Sequence, residues 1–297
     1  MSMLAGSPIV VGIDGSDESL VGLAWAAHEA AHQHRTLRLV HAWEVPVPGY
    51  VPVPASVDLV RESAETVLTE AVAKAEEWVP GVHVEGFLMH GPAGRVLLDQ
   101  GAEAAMVVVG SHGRGGFARL LLGSSSGAVA AHASVPVVVT RGTAGDESWR
   151  SGPVVVGIDG SAVSEAAIEF AFQAASLRGE GLVAVHAWAQ PDPFVDEAYA
   201  VLSEAATRQT EARLAVAESL AGWRDKYPDV LVTEVVADGH PVDALLTEAK
   251  LAQAALLVVG CRGRGGFTGL LLGSVSRGVL HHATCPVAVV RPATEDG

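Results

Sequence analysis

Short runs rich in β-branched residues alternate with longer amphipathic stretches along this chain, and the whole alternation occurs twice. In the first half the apolar runs predict strands at Ile9–Asp14, Leu37–Trp43, Val82–Met89, Ala105–Gly110 and Pro136–Thr140. Helical periodicity fills the intervals near Asp17–His34, Ser56–Val79, Pro92–Gly101 and Ser124–His132. The second half predicts strands at Val154–Asp159, Leu182–Trp188, Val230–Val236, Ala255–Gly260 and Pro286–Val290. Its helices fall near Val163–Leu177, Asp196–Trp223, Pro241–Ala252 and Ser274–His281. Runs such as VVVG and LLVVG are apolar on both faces, as strands of a parallel sheet covered by helices on each side must be. The expected fold class is therefore α/β, with two tandem doubly wound domains. Each has a five-stranded parallel sheet in the order 3-2-1-4-5 flanked by helices.

The repeat is that of a whole domain. PIVVGIDGSDE at 8–18 returns as PVVVGIDGSAV at 153–163, and VVGSHGRGGFARLLLGS at 108–124 returns as VVGCRGRGGFTGLLLGS at 258–274. The polar, glycine-containing stretch after the fifth strand reads as a linker. The expected division is 1–141 for the first domain, 142–152 for the linker and 153–297 for the second domain. Prolines at 46, 48, 52 and 54 make 45–56 an expected extended surface loop, a possible lid.

Composition narrows the partners. A formal net charge of −15 opposes nucleic acid or an anionic membrane surface. No apolar run reaches the roughly 18 residues of a spanning helix, and the first residues do not resemble a signal peptide. Two cysteines, Cys261 and Cys285, make no disulfide framework and suit a reducing cytoplasm.

The best-kept part of the repeat is a glycine-rich loop after the fourth strand. It runs Gly110-x2-Gly113-x9-Gly123-Ser124 in one copy and Gly260-x2-Gly263-x9-Gly273-Ser274 in the other. Each loop ends where a helix begins, so unpartnered main-chain N–H groups and hydroxyls can meet a phosphate there. Ser125 and Ser126, or Val275 and Ser276, extend the row of donors. In a 3-2-1-4-5 sheet the order reverses between strands one and four, and ligands bind beyond the carboxyl ends at that point. Asp14 and Asp159 close the first strand of each copy, so they converge on the same crevices. A carboxylate there can accept hydrogen bonds from a ribose or base, or serve the cap of the next helix.

VVGIDGS, the HAW after the second strand and G-x2-G-x9-G-S together resemble the universal stress protein family, over nearly the whole chain and in its tandem-domain form. The resemblance implies ATP in each domain, with Mg²⁺ a candidate companion of the phosphates. It places Asp14 or Asp159 near the nucleoside, and the backbone around Ala42 or Ala187 against adenine. Ribose and phosphates fall to the glycine loop and the serines after it. It implies two nucleotides per chain, association of the halves through their fifth strands, and a homodimer.

Other signals are weaker. HEAAH at 28–32 matches a zinc-protease pattern, but the second copy has no ligands there, so a solvated helix end is the better reading. RGGF at Arg114–Phe117 and Arg264–Phe267 suits a cover over phosphates better than RNA binding in so acidic a chain. His41 and His186 read as strand-end histidines with satisfied rings, and Trp43 and Trp188 as core or rim. No lysine follows a glycine loop, against a P-loop ATPase, and Gly15 stands where a dehydrogenase needs G-x-G-x-x-G. The leading expectation is an ATP-binding regulatory module of the stress response with slow or no hydrolysis. An ATPase or nucleotidyl-transfer enzyme, or a scaffold with a structural nucleotide, is the alternative. The copies differ at Ser111-His112 against Cys261-Arg262, where the added cation could strengthen phosphate binding.

Overall fold

A computed structural model gives the architecture. It describes residues 6–45, 54–113, 122–142, 147–188, 198–263 and 271–292, excepting the side chains of 54–56, 148 and 198–208. The chain divides into two compact units, with the boundary in sequence between Asp146 and Glu147.

The first unit runs β1 (Ile9–Ile13), α1 (Asp17–His32), β2 (Leu37–Trp43), α2 (Pro54–Trp78), β3 (Val84–His90), α3 (Ala93–Gly101), β4 (Met106–Gly110), α4 (Ser124–His132) and β5 (Val137–Thr140). Its strands lie in the order β3-β2-β1-β4-β5, and every pairing is parallel. The second unit runs β6 (Val154–Gly157), α5 (Ala162–Arg178), β7 (Leu182–Trp188), α6 (Ala198–Lys226), β8 (Val232–Asp238), α7 (Pro241–Leu251), β9 (Leu256–Gly260), α8 (Ser274–His282) and β10 (Val287–Val290). Its order, β8-β7-β6-β9-β10, is again parallel throughout. The expected doubly wound α/β class and strand order are both borne out.

The central strands explain why the apolar runs are unbroken. Ile9, Val10 and Val11 of β1 and Met106, Val107 and Val108 of β4 are fully buried, so neither face meets water. Helix α1 packs on α2, and α3 on α4, while both α1 and α3 touch β1. These are the two helical layers. The pairs α5·α6 and α7·α8 repeat the arrangement in the second unit.

Boundaries depart from the sequence reading in instructive ways. β1 stops at Ile13 and β6 at Gly157, before the aspartates, because the chain there turns into a helix cap. Helix α2 opens on Pro54, a residue tolerated in a first turn because its missing N–H would have no partner. Residues 46–53 of the proline-rich segment lie outside the described residues. Helix α6 continues to Lys226, where Phe172 stacks on Trp223 and Tyr227 at 6.2 and 5.7 Å between centroids. Within the stretch read as linker, Ser148–Arg150 form a 3-10 turn and Trp149 is only 4% exposed. Gly152 follows at φ 119°, its N–H donating to Glu180 Oε1 at 3.1 Å. Among the described residues no helix is long and apolar enough to cross a membrane.

One contact fixes the crevice. A Cβ added at Gly110 would come within 2.6 Å of the Glu18 carbonyl oxygen and 3.1 Å of the Ser19 nitrogen. Strand β4 therefore ends with its main chain against the first turn of α1, and only glycine permits this. Gly110→Ala is expected to destabilise the first unit by about 1–3 kcal/mol, as overpacking does. Urea denaturation followed by fluorescence should show an earlier transition for part of the amplitude. An unchanged profile would contradict the packing argument.

Candidate functional site

The turn after β1 is built by a two-step hydrogen-bond relay. Asp14 Oδ1 accepts from the Ser16 backbone N–H at 2.9 Å and from its hydroxyl at 2.5 Å. Ser16 Oγ in turn accepts from Ser19 N at 3.2 Å and is the N-cap of α1. In the second unit Asp159 Oδ1 accepts the same two bonds from Ser161 at 3.0 and 2.7 Å, and Ser161 caps Ser164 N at 3.2 Å. The serine, not the aspartate, is thus the cap, and the aspartate holds it in place. The other carboxylate oxygen lies against the glycine loop: a Cβ built on Gly113 would run into Asp14 Oδ2, and one on Gly263 into Asp159 Oδ2.

The loop delivers an uncapped helix start. Gly123 is the N-cap of α4 and Gly273 of α8, and neither has a side chain to cap the first turn. Their own N–H groups return to the loop, Gly123 to Ser111 O at 2.7 Å and Gly273 to Cys261 O at 2.8 Å. The first intrahelical bonds are Gly127 N to Gly123 O and Arg277 N to Gly273 O. The N–H groups of Ser124, Ser125 and Ser126, and of Ser274, Val275 and Ser276, therefore lie ahead of the ladder with no intrahelical acceptor. The hydroxyls do not all join them. Ser126 Oγ donates to Gly110 O and Ser276 Oγ to Gly260 O, each at 2.6 Å. Each hydroxyl has one proton, so the expected donor row keeps the Ser126 and Ser276 main chain but loses their side chains.

These parts enclose one cavity per unit, of about 360 Å³ in the first and about 510 Å³ in the second. Both volumes fall in the range of small-molecule sites. Asp14, Ala42, Gly110, Gly113, Gly123 and Ser124 to Ser126 all line the first. Asp159, Ala187, Gly260, Gly263, Gly273, Ser274, Val275 and Ser276 line the second. Sequence reasoning missed the apolar wall. Ala93 and Leu97 of α3 with Val40 complete one cavity, and Pro241 and Leu245 of α7 with Val185 the other. It also missed Gly12 and Gly157 on the floor, where a Cβ would press on Leu97 at 2.9 Å and Leu245 at 3.2 Å. A glycine inside a strand run signals a close approach of this kind.

The conspicuous histidines lie elsewhere. His41 Nδ1 bonds Ile13 O at 2.5 Å and His186 Nδ1 bonds Ile158 O at 2.7 Å. A carbonyl can only accept, so each Nδ1 carries its proton. With Trp43 and Trp188, these rings border separate recesses against α2 and α6, reached past the aspartates. Trp43 and Trp188 are not among the described residues that line the glycine-loop cavities. His28 Nδ1 is engaged with Ala24 O at 2.9 Å. No group of three or more metal-ligating side chains occurs among the described residues. Both RGGF segments lie outside those residues. Cys261 is buried under the loop at 1% exposure. Burial pushes the Cys285 thiol up to about 11, opposed by a backbone hydrogen bond that lowers it.

The model of the universal stress protein family matches residues 7–141 and again 151–291. A universal stress protein of Mycolicibacterium smegmatis is 41% identical over 295 residues, spanning 96% of this chain and 97% of that protein. One from Mycobacterium tuberculosis is 42% identical over 290 residues, spanning 95% and 96%. The crystal structure of a universal stress protein from Archaeoglobus fulgidus superimposes with a TM-score of 0.73 over 98% of both chains at 22% identity, which speaks to the fold.

Two outcomes are expected. Ser126→Ala leaves a buried carbonyl without its donor and should cost about 1–3 kcal/mol, whereas Ser125→Ala should stay within about 0.5 kcal/mol. Thermal melts of both variants check this, and equal losses would contradict the inward bond. Because its raised pKa keeps Cys285 protonated, iodoacetamide at pH 8 should label it at least about tenfold more slowly than in the denatured chain. Peptide mapping by mass spectrometry reads the rates.

Proposed function

The chain belongs to the universal stress protein family, and from that premise we propose that each unit binds one adenine nucleotide, ATP, in its glycine-loop cavity. Binding would regulate conformation or assembly as part of a stress response, with hydrolysis slow or absent. One observation carries the reading. In both units an uncapped helix start, a glycine turn and an oriented carboxylate face one cavity of nucleotide-compatible size. The first-turn N–H groups of α4 and α8, with the helix dipole behind them, suit an anionic tail. The hydroxyls of Ser124, Ser125 and Ser274 add neutral donors.

In this reading the apolar wall of Leu97 and Ala93, or Leu245 and Pro241, takes the base beside the Ala42 or Ala187 backbone. Asp14 and Asp159 receive the ribose or base. Gly110, Gly113 and Gly123 in one unit, and Gly260, Gly263 and Gly273 in the other, admit the phosphates by having no side chains. Mg²⁺ would travel with the phosphates. The regulatory reading is favoured over catalysis because each aspartate has one oxygen engaged by its serine. The two strand-end histidines border other recesses. A cytoplasmic setting fits the two free cysteines, and a homodimer is the assembly on which nucleotide would act.

Isothermal titration of nucleotide-free protein with ATP is expected to give two sites per chain. Gly113→Ala and Gly263→Ala displace the neighbouring carboxylate and should each weaken their own site at least about tenfold, roughly 1.4 kcal/mol, leaving one site intact. Incubation with ATP should return it largely unhydrolysed, and sedimentation with and without ATP reads the assembly. Absence of saturable binding would sink the proposal; rapid turnover would move the chain to the enzymes.

A further inference from the structure

The two cavities carry different groups at the same point. His112 follows Ser111 in the first loop and Arg262 follows Cys261 in the second, and each lines its own cavity. The backbone places them alike. A Cβ on Gly123 would lie 3.4 Å from the His112 Cα, and one on Gly273 would lie 3.3 Å from the Arg262 Cα. In both units, then, this residue leaves the main chain directly over the N-cap of the helix, beside the first-turn N–H groups. Its side chain decides what charge stands over that end of the cavity.

Resting on the nucleotide reading above, we propose that the cavities differ in ligand class: the second selects nucleoside triphosphates by charge, and the first discriminates little among mono-, di- and triphosphates. A guanidinium is always cationic and offers five donors in a fork that fits phosphate oxygens. An imidazole offers two nitrogens, and Ser111 Oγ already engages His112 Nδ1 at 3.1 Å. Cys261 is buried beneath its loop, whereas Arg262 is exposed at the cavity mouth. Arg291 directly follows β10 just as Arg141 directly follows β5, so that cation is common to the two units and the difference rests on Arg262 against His112. The second cavity is also the roomier, at about 510 Å³ against about 360 Å³.

The test uses the full chain and AMP, ADP and ATP as probes, titrated calorimetrically in Mg²⁺ buffer. Gly113→Ala isolates the second site and Gly263→Ala the first. The ATP-to-AMP affinity ratio should be about tenfold larger at the second site. It should also fall more steeply there as KCl rises from about 0.1 to 0.5 M, as screening requires. Arg262→His should bring the second ratio down to the first, and His112→Arg should raise the first. Both exchanges can be read on the two-site isotherm of the otherwise unaltered chain, with thermal melts confirming folding, so the outcome does not depend on the glycine variants. Equal ratios at the two sites, or a ratio that Arg262→His leaves unmoved, overturn this inference while leaving the nucleotide reading intact. A wild-type chain that binds none of the three nucleotides overturns both.

Discussion

Close approach of the glycine that ends β4 or β9 to the first turn of the helix packed on it, at the carboxyl edge of each sheet, is the constraint on which the site depends. Gly110 has no room for a single carbon between β4 and the first turn of α1. In the second unit the corresponding carbon at Gly260 would meet Val163 Cγ1 at 2.8 Å. This contact sets where the strand ends, and the Ser126 or Ser276 hydroxyl then ties the next helix to that end. The uncapped first turn is aimed by these two contacts. Its electrostatics come from the helix, but its direction comes from packing.

The same arrangement explains why the aspartates are so fixed. Asp14 and Asp159 reach the crevice only because their serines hold one carboxylate oxygen while glycine leaves space beside the other. Removing either element moves the carboxylate. The serine hydrogen bonds and the space left by glycine are local features of the turn that help position these polar groups. The differences between the units, at His112 and Arg262 and in the aromatic stack at the end of α6, sit on this shared frame without altering it.

Much of the fold was legible because both faces of the central strands are buried, which forces unbroken apolar runs such as MVVVG and LLVVG. The glycine spacing pointed to the crevice because close approach demands glycine whatever the surroundings. Other features were hidden for physical reasons. Three consecutive residues at a helix start point in directions about 100° apart, so spacing alone could not say that Ser126 turns inward while Ser125 does not. Period likewise marks Pro92–Gly101 as a helix, but not that Ala93 and Leu97 form a cavity wall. That depends on α3 crossing the strand glycine, Gly12. Strand ends at Ile13 and Gly157 were overrun because the capping relay is a side-chain event invisible to hydrophobic pattern.

A surface shaped by missing side chains has an unusual mutational character. Almost any replacement of Gly12, Gly110 or Gly113, or of Gly157, Gly260 or Gly263, adds bulk where there is none to spare. Random drift therefore has many ways to shut such a crevice and few to reopen it. A duplicated gene needing only one working copy would be expected to let the other fill in. Both remain open in this polypeptide, which is the outcome that selection acting on each half separately would leave.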